Sequence, residues 1–191
     1  MGAFAVSAGV VALGEMGDKT QLLALLLAAR FKQPIPVIAG IAVATLLNHA
    51  LAGAAGLWLG QRLDPQLLRW GLGAAFVAMA LWMLVPDRAD EGPNEPPGRL
   101  GVFGISAVSF FLAEMGDKTQ VATMMLAARF DAPLAVIGGT TVGILLADIP
   151  AVLLGDKLLA RVPLRWVQRV AAAAFALLGV AMLAGWGSLG G

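Results

Sequence analysis

Long apolar runs limit the fold of this chain more than any other feature of its sequence. Six runs, bounded by charged residues and prolines, cover residues 3–29, 35–60, 66–85, 100–128, 134–155 and 164–186. An apolar run of about 20 residues crosses a hydrocarbon core about 30 Å thick as an α-helix. Hydrophobic residues make up 59% of the 191-residue chain and charged residues 13%, which is too apolar for a soluble domain. We therefore predict an all-α membrane protein with six transmembrane helices in contact with a lipid bilayer.

The charge and cysteine content exclude several classes of function. The formal net charge is +1 and the basic residues are scattered between the apolar runs, so the chain lacks the basic stripe that nucleic-acid-binding proteins use. It contains no cysteine, which excludes disulfides, thiolate metal sites and cysteine nucleophiles. A transporter that binds soft metals through thiolates is therefore disfavoured. Nothing in the composition indicates a cofactor or an oligomeric state.

The chain contains two copies of one unit. The segment Glu-Met-Gly-Asp-Lys-Thr-Gln occurs at residues 15–21 and again at 114–120, and Pro34 matches Pro133 at the same offset of 99. A segment rich in proline, glycine and charge separates the copies, so we predict a first repeat at 1–85, a linker at 86–99 and a second repeat at 100–191. Each repeat has three spans, an odd number, so the second must enter the membrane from the opposite side. We therefore predict two inverted three-helix repeats, an arrangement that places a substrate site near the membrane midplane.

The basic residues between the runs predict the orientation of the chain. Lysine and arginine are enriched in the cytoplasmic loops of membrane proteins. Most of them fall in the first, third and fifth connections, at Arg30, Lys32, Arg88, Arg99, Lys157, Arg161 and Arg165. Fewer fall on the other side, at Arg62, Arg69 and Arg129. We expect the linker in the cytoplasm and both termini outside.

Each copy of the motif places charged groups near the middle of a span. On a continuous helix, the i, i+3 and i+4 spacing of Glu15, Asp18 and Lys19 would place them on one face, and the second copy has the same spacing. Each charge at the centre of a membrane costs about 2.5–3.5 kcal/mol on insertion scales. Small apolar residues achieve helix packing without this cost. We therefore expect these groups to be functional rather than to staple two helices together.

The chemistry of the motif favours a cation. Together the two copies supply four carboxylates and two ammonium groups, with a formal net charge of −2, which one divalent cation or two protons would neutralise. Oxygen ligands suit ions such as Ca²⁺ and Mn²⁺, and carboxylates clustered away from water also retain protons, which would compete with the metal. We predict exchange of a divalent cation for protons at one site. The predicted metal ligands are Glu15, Asp18, Gln21, Glu114, Asp117 and Gln120.

Other polar residues near the motif have supporting or proton-coupling roles in this interpretation. They are Lys19, Thr20, Lys118, Thr119, Asn48 and Asp148. The two lysines are either fixed counter-ions, which we favour, or mobile charges that exchange with the metal. Asp148 lies near mid-span and is either a further ligand or a proton carrier. His49, at the equivalent position of the first repeat, fits better as a helix-interface residue.

The glycines of the motif have two interpretations. Gly14, Gly17 and Gly116 either permit close contact between helices or mark a local break that frees backbone carbonyls as ligands. Both interpretations keep the site at the interface between the repeats.

The two motifs resemble the signature of a cation/proton exchanger family once called uncharacterised protein family 0016. That family belongs to the lysine-exporter superfamily and includes Golgi manganese/calcium transporters and bacterial manganese exporters. Its hallmark is two copies of Glu-x-Gly-Asp-Lys-(Thr/Ser), which residues 15–20 and 114–119 match in full. The resemblance implies proton-driven transport of Mn²⁺, with Ca²⁺ as a second candidate, and Glu15, Asp18, Glu114 and Asp117 as the binding carboxylates. The short chain looks like the bacterial members, which implies manganese export across the plasma membrane.

Two other functions fit parts of the pattern. The superfamily name suggests export of an amino acid, but a site with a net charge of −2 fits a cation better than a zwitterion. An intramembrane lipid-pyrophosphate phosphatase also uses inverted repeats and buried glutamates. It would need an arginine near the carboxylates to bind phosphate, and this chain has no arginine in mid-span. We therefore predict a transporter and not an enzyme.

Overall fold

Helices account for the regular structure throughout the described part of the chain. The computed structural model describes residues 2–85, 101–154 and 164–185. These residues form eight helices: α1 (Ala3–Glu15), α2 (Lys19–Phe31), α3 (Pro34–Arg62), α4 (Pro65–Trp82), α5 (Gly101–Glu114), α6 (Lys118–Phe130), α7 (Pro133–Leu154) and α8 (Leu164–Leu183). The prediction of an all-α fold is confirmed. The predicted linker at 86–99 lies outside the described residues.

Several helices have the length and composition of membrane spans. In the described ranges, α3, α7 and residues Trp166–Leu183 of α8 are long and apolar enough to cross a membrane. The shorter apolar helices α1 and α5 contain 13 and 14 residues. Four of the predicted runs correspond to α3, α4, α7 and α8, and the ends that fall within the described residues agree to within a few positions.

The first and fourth predicted runs are each divided into two helices. In the first run, α1 ends at Glu15 and α2 begins at Lys19, and in the fourth, α5 ends at Glu114 and α6 begins at Lys118. The prediction that Glu15, Asp18 and Lys19 share one face of a continuous helix is therefore wrong. The glutamate of each motif ends one helix and the lysine begins the next.

A glycine with an unusual backbone conformation makes each break. The φ angles are +83° at Gly17 and +76° at Gly116, in a region that side chains disfavour and glycine adopts readily. The local break is thus confirmed at these two positions, whereas the use of its backbone carbonyls as ligands stays a prediction. At Gly14 the structure agrees with the other interpretation, since an added Cβ would lie 2.8 Å from Cε of Met83.

The helices on the two sides of the linker interleave. α1 packs along α7, α5 and α6 pack along α3, and α4 packs along α8. Small residues permit this close approach: a Cβ at Gly40 would lie 2.8 Å from the carbonyl oxygen of Phe103, and one at the equivalent Gly139 would clash with that of Phe4. Each broken helix is therefore held by a long helix from the other half.

The described part of the protein has an apolar exterior, and its largely apolar interior also encloses polar and charged residues. Leu81, Leu112, Leu146 and Leu177 are each more than 60% exposed. The buried polar and charged residues include both motif glutamates and both motif aspartates. This distribution fits a protein whose outer surface contacts lipid, because a soluble monomer rarely exposes large apolar patches.

Candidate functional site

Two ion pairs join the two helix breaks. Nζ of Lys19 lies 3.1 Å from Oδ1 of Asp117, and Nζ of Lys118 lies 3.6 Å from Oδ1 of Asp18. Each motif lysine thus pairs with the aspartate of the other copy. This crossed arrangement places each lysine beside a carboxylate, as a counter-ion would lie. It brings the two copies of the motif together in one cluster.

The two ion pairs differ in their access to solvent. Lys118 and Asp18 are both 3% exposed, whereas Lys19 retains 24% exposure opposite a buried Asp117. Lys118 also donates a hydrogen bond to the carbonyl oxygen of Val85, at 3.3 Å, and its Nζ lies 6.0 Å from the centroid of the Trp82 ring. The end of α4 therefore encloses one pair, while the other pair is partly exposed.

The motif glutamates lie at the ends of α1 and α5 and are fully buried. Thr20 donates its hydroxyl to Oε1 of Glu15, and Thr119 donates to Oε2 of Glu114 at 2.8 Å. Thr20 also interacts with the carboxylate of Glu114, across the two halves. The second oxygen of each glutamate has no hydrogen-bond partner among the described residues. Each glutamate thus keeps one oxygen that could bind a cation.

The motif glutamines stabilise the helix breaks. Oε1 of Gln21 accepts a hydrogen bond from the backbone N–H of Gly17 at 2.8 Å, and Oε1 of Gln120 accepts one from Gly116 at 2.7 Å. The sequence analysis assigns both glutamines as metal ligands. In this structure their oxygens cap the turn instead, although an oxygen with two lone pairs can accept a second interaction.

The amide nitrogens of the two glutamines contact different groups on the long helices. Nε2 of Gln21 donates to the carbonyl oxygen of Ala147 at 3.0 Å. Nε2 of Gln120 donates to Oδ1 of Asn48 at 3.2 Å, and Asn48 in turn donates to the carbonyl oxygen of Phe111 at 3.0 Å. Ala147 and Asn48 are equivalent positions of the repeat, 99 residues apart. The predicted supporting residue Asn48 therefore connects α6 to α5.

Asp148 is a fifth carboxylate in the interior. It is 0% exposed, and neither of its oxygens has a hydrogen-bond partner in the described part of the chain. It interacts electrostatically with both Glu15 and Glu114. Pro150 lies two residues further along α7 and has no N–H, so it leaves the carbonyl of Leu146 without its usual helical partner.

His49 has an ordinary environment for a helix interface, with one exception. It is buried, and its Nδ1 lies 3.4 Å from Oγ1 of Thr141, while Nε2 has no hydrogen-bond partner among the described residues.

Two buried serines, Ser7 and Ser106, were not singled out from the sequence, and their hydroxyls have no hydrogen-bond partner among the described residues. Their offset of 99 residues was the signal that could have identified them.

The acidic residues do not form a ready-made metal site in this conformation. Across the described ranges, no three histidine, cysteine, aspartate or glutamate side chains are grouped so that they could hold a metal ion. Two of the aspartates pair with lysines, and the motif glutamates accept hydrogen bonds from threonines. A cation that bound here would have to replace some of these interactions.

Comparison with known proteins identifies related sequences. The model of a family described as "Divalent cation/proton antiporter GDT1" matches residues 3–91 and 102–188. A Vibrio cholerae serotype O1 protein named "Putative manganese exporter" is 47% identical over 182 residues, which cover 95% of this chain and 90% of that protein. No solved structure matches the chain.

Proposed function

The chain belongs to the GDT1 family of divalent cation/proton antiporters, and we propose that it exports Mn²⁺ in exchange for protons across a bacterial plasma membrane. As a member of that family it is a membrane transporter and not an enzyme. The name of the Vibrio cholerae relative, which is 47% identical, supports manganese as the cargo. Ca²⁺ is the second candidate, because it also prefers oxygen ligands.

One observation supports a shared cation site more than any other: the ion pairs cross between the two copies of the motif. Lys19 pairs with Asp117 and Lys118 with Asp18, so neither copy is complete alone. We propose that the cation binds between the two copies. The proposed ligands are the six oxygen-bearing residues of the sequence prediction: Glu15, Asp18, Gln21, Glu114, Asp117 and Gln120.

The charge of this cluster explains why cation and protons would exchange. Four carboxylates and two lysines leave a formal charge of −2, and an unbalanced charge away from water is strongly unfavourable. A divalent cation neutralises the cluster, and so do two protons. Because both bind the same carboxylates, occupation by one disfavours the other, and only neutral forms of the site would cross the membrane interior at low cost.

The helix breaks add a favourable field for a cation. The C-terminal ends of α1 and α5 carry partial negative charge, because the last carbonyls of a helix lack helical partners. The carbonyl oxygens of Glu15 and Glu114 accept turn hydrogen bonds from Asp18 and Asp117, at 2.9 and 3.1 Å. Broken helices whose ends face a substrate are a recurring device in secondary transporters.

We further propose the topology that the sequence predicts: six spans in two inverted three-helix repeats at 1–85 and 100–191. Equivalent breaks at Gly17 and Gly116 support it, and so does the matched packing of α1 on α7 and α5 on α3. The distribution of lysine and arginine favours a cytoplasmic linker at 86–99 with both termini outside. In this topology, α1 and α2 form one span and α5 and α6 form another.

Transport in proteoliposomes tests the proposed function. An imposed pH gradient should drive Mn²⁺ flux by the native protein, and Asp117→Asn should abolish it. Asp131→Asn is the matched control, since Asp131 is exposed and follows α6 in a left-handed conformation that asparagine tolerates. Mn²⁺ flux that ignored the pH gradient, or that survived in Asp117→Asn, would contradict the proposal.

A further inference from the structure

The five interior carboxylates fall into two groups. Asp18 and Asp117 each form an ion pair with a lysine of the other motif copy. Glu15, Glu114 and Asp148 are each 0% exposed and form no ion pair within the described ranges. Lys19 also interacts electrostatically with Glu114. Away from water, a carboxylate of the second group is neutralised only by a proton or by a bound cation.

Asp148 has fewer hydrogen bonds than either glutamate. One oxygen of Glu15 and one of Glu114 accept a threonine hydroxyl, whereas both oxygens of Asp148 have no partner among the described residues. A charged carboxylate buried without partners costs several kcal/mol or more, and ionisable residues inside a membrane typically mark the pathway of a substrate, an ion or a proton. It interacts electrostatically with Glu15 and Glu114, each of which also has one oxygen without a hydrogen-bond partner among the described residues, and its helix α7 packs along α1.

The two halves differ at this position. His49 occupies the position of the first repeat that is equivalent to Asp148, and its Nδ1 lies within hydrogen-bonding distance of Oγ1 of Thr141. The motif residues, in contrast, are identical in the two copies. One half thus supplies a carboxylate to the interior where the other supplies an imidazole, so the two halves are not equivalent at this position.

From these observations we propose that Asp148 is a direct ligand of the transported divalent cation, which it binds together with Glu15 and Glu114. The inference rests on the proposed function and deepens it, since it adds a residue outside the motif to the cation site. Glu15, Glu114 and Asp148, from α1, α5 and α7, enclose the ion, and Asp18 and Asp117 bind it from the flanks. With Asp148 the five carboxylates and two motif lysines have a formal charge of −3, so a divalent cation and one proton together neutralise the site. Since the three are not assembled around an ion in this conformation, binding draws them together.

Removal of the carboxylate is the first test. Asp148→Asn keeps the size of the side chain and should weaken Mn²⁺ binding to the purified full-length protein by at least the roughly 10–100-fold that loss of an outer-shell partner of a metal ligand costs. Its melting temperature should not fall, because a buried unpaired charge is removed. Asp148→Glu keeps a carboxylate and should bind Mn²⁺ more tightly than Asp148→Asn. Equal Mn²⁺ affinities for the native protein and Asp148→Asn would overturn the assignment, even if proton coupling were lost.

A thiolate substitution gives an independent spectroscopic test. The chain has no cysteine, so Asp148→Cys introduces its only thiol, and a thiolate ligand favours softer metals. Cd²⁺ added to this variant should produce a thiolate-to-cadmium charge-transfer band and a higher preference for Cd²⁺ over Mn²⁺ than in the native protein. His49→Cys, the matched control at the equivalent position, should produce no such band. Absence of the band in Asp148→Cys, or an equal band in the control, would overturn the assignment.

Measurements on the native protein distinguish a failure of the proposed function from a failure of the Asp148 assignment. If it neither binds nor transports Mn²⁺ or Ca²⁺, the proposed function fails. If it binds Mn²⁺ and Asp148→Asn binds equally well, the proposed function stands and only the assignment of Asp148 fails.

Discussion

Lys19 and Asp117 lie 3.1 Å apart although 98 positions of sequence separate them. Lys118 and Asp18 form the reciprocal pair at 3.6 Å. Each half of the protein therefore supplies the counter-ion for the other half. A displacement of one helix break relative to the other must change both pairs, so the pairs couple the two halves mechanically as well as electrostatically.

The two pairs should contribute unequally to stability. Lys118→Met should lower the melting temperature in detergent more than Lys19→Met. The reason is that Lys118 and Asp18 are both 3% exposed, and loss of one partner of a buried pair costs about 3–5 kcal/mol. Lys19 is 24% exposed, so solvent compensates part of its loss. The double variant Lys118→Met with Asp18→Asn should recover stability, and equal losses in the two lysine variants would count against this ranking.

A side chain at either helix-break glycine should destabilise the protein. Gly17→Ala and Gly116→Ala should each lower the free energy of unfolding by about 1–2 kcal/mol, because both positions have positive φ. Gly9→Ala in α1 is the control: no atom lies within 4 Å of an added Cβ there, and alanine should be neutral or stabilising. Chemical denaturation in detergent measures all three. The explanation fails if Gly9→Ala is as destabilising as the other two.

Asn48 should be required for stability and for Mn²⁺ transport, whereas the neighbouring Thr45 should not. Asn48→Ala removes the acceptor of Gln120 and the donor to the carbonyl of Phe111. Loss of these buried hydrogen bonds should cost about 1–3 kcal/mol of stability and slow Mn²⁺ transport. Thr45→Val is the control, since Thr45 is buried and its hydroxyl has no hydrogen-bond partner among the described residues. Equal melting temperatures for the two variants would refute the role of Asn48.

Protons and Mn²⁺ should compete on the same side of the membrane. Protonated carboxylates do not bind a metal ion, so the KM for Mn²⁺ should rise as the pH falls on the side from which Mn²⁺ enters. The maximal rate at saturating Mn²⁺ should change much less. Initial rates in proteoliposomes, with the opposite side held at constant pH, measure both quantities. A KM independent of pH would indicate that protons bind elsewhere.

Much of the site followed from sequence because its parts are repeated. The heptapeptide at 15–21 and 114–120 could not be retained twice in apolar spans without a partner for its charges, and this predicted that the copies meet. The repeated sequence did not predict the helix break. Glycine at positions 17 and 116 is compatible both with a continuous helix and with a turn, and the choice depends on packing against α7 and α3.

The pairing of the charges could not be predicted from spacing. Each lysine directly follows the aspartate of its own motif and lies four residues after the glutamate of that motif. The sequence therefore offers local partners as good as distant ones. The turn at residues 16–18 changes the relative direction of these side chains, and the aspartate of the other copy becomes the partner. The turn also recruits the oxygens of Gln21 and Gln120 to backbone N–H groups, a use that the ligand prediction did not include.

The number of ions bound per chain tests the shared site most directly. Equilibrium binding of Mn²⁺ to the purified protein should be compared with binding to Glu15→Gln and Glu114→Gln, with melting temperatures recorded to confirm folding. A single site formed by both motif copies predicts one Mn²⁺ ion per native chain and the loss of that ion in either variant. Two ions per native chain, with one retained in each variant, would show that the copies bind independently and would contradict the shared site.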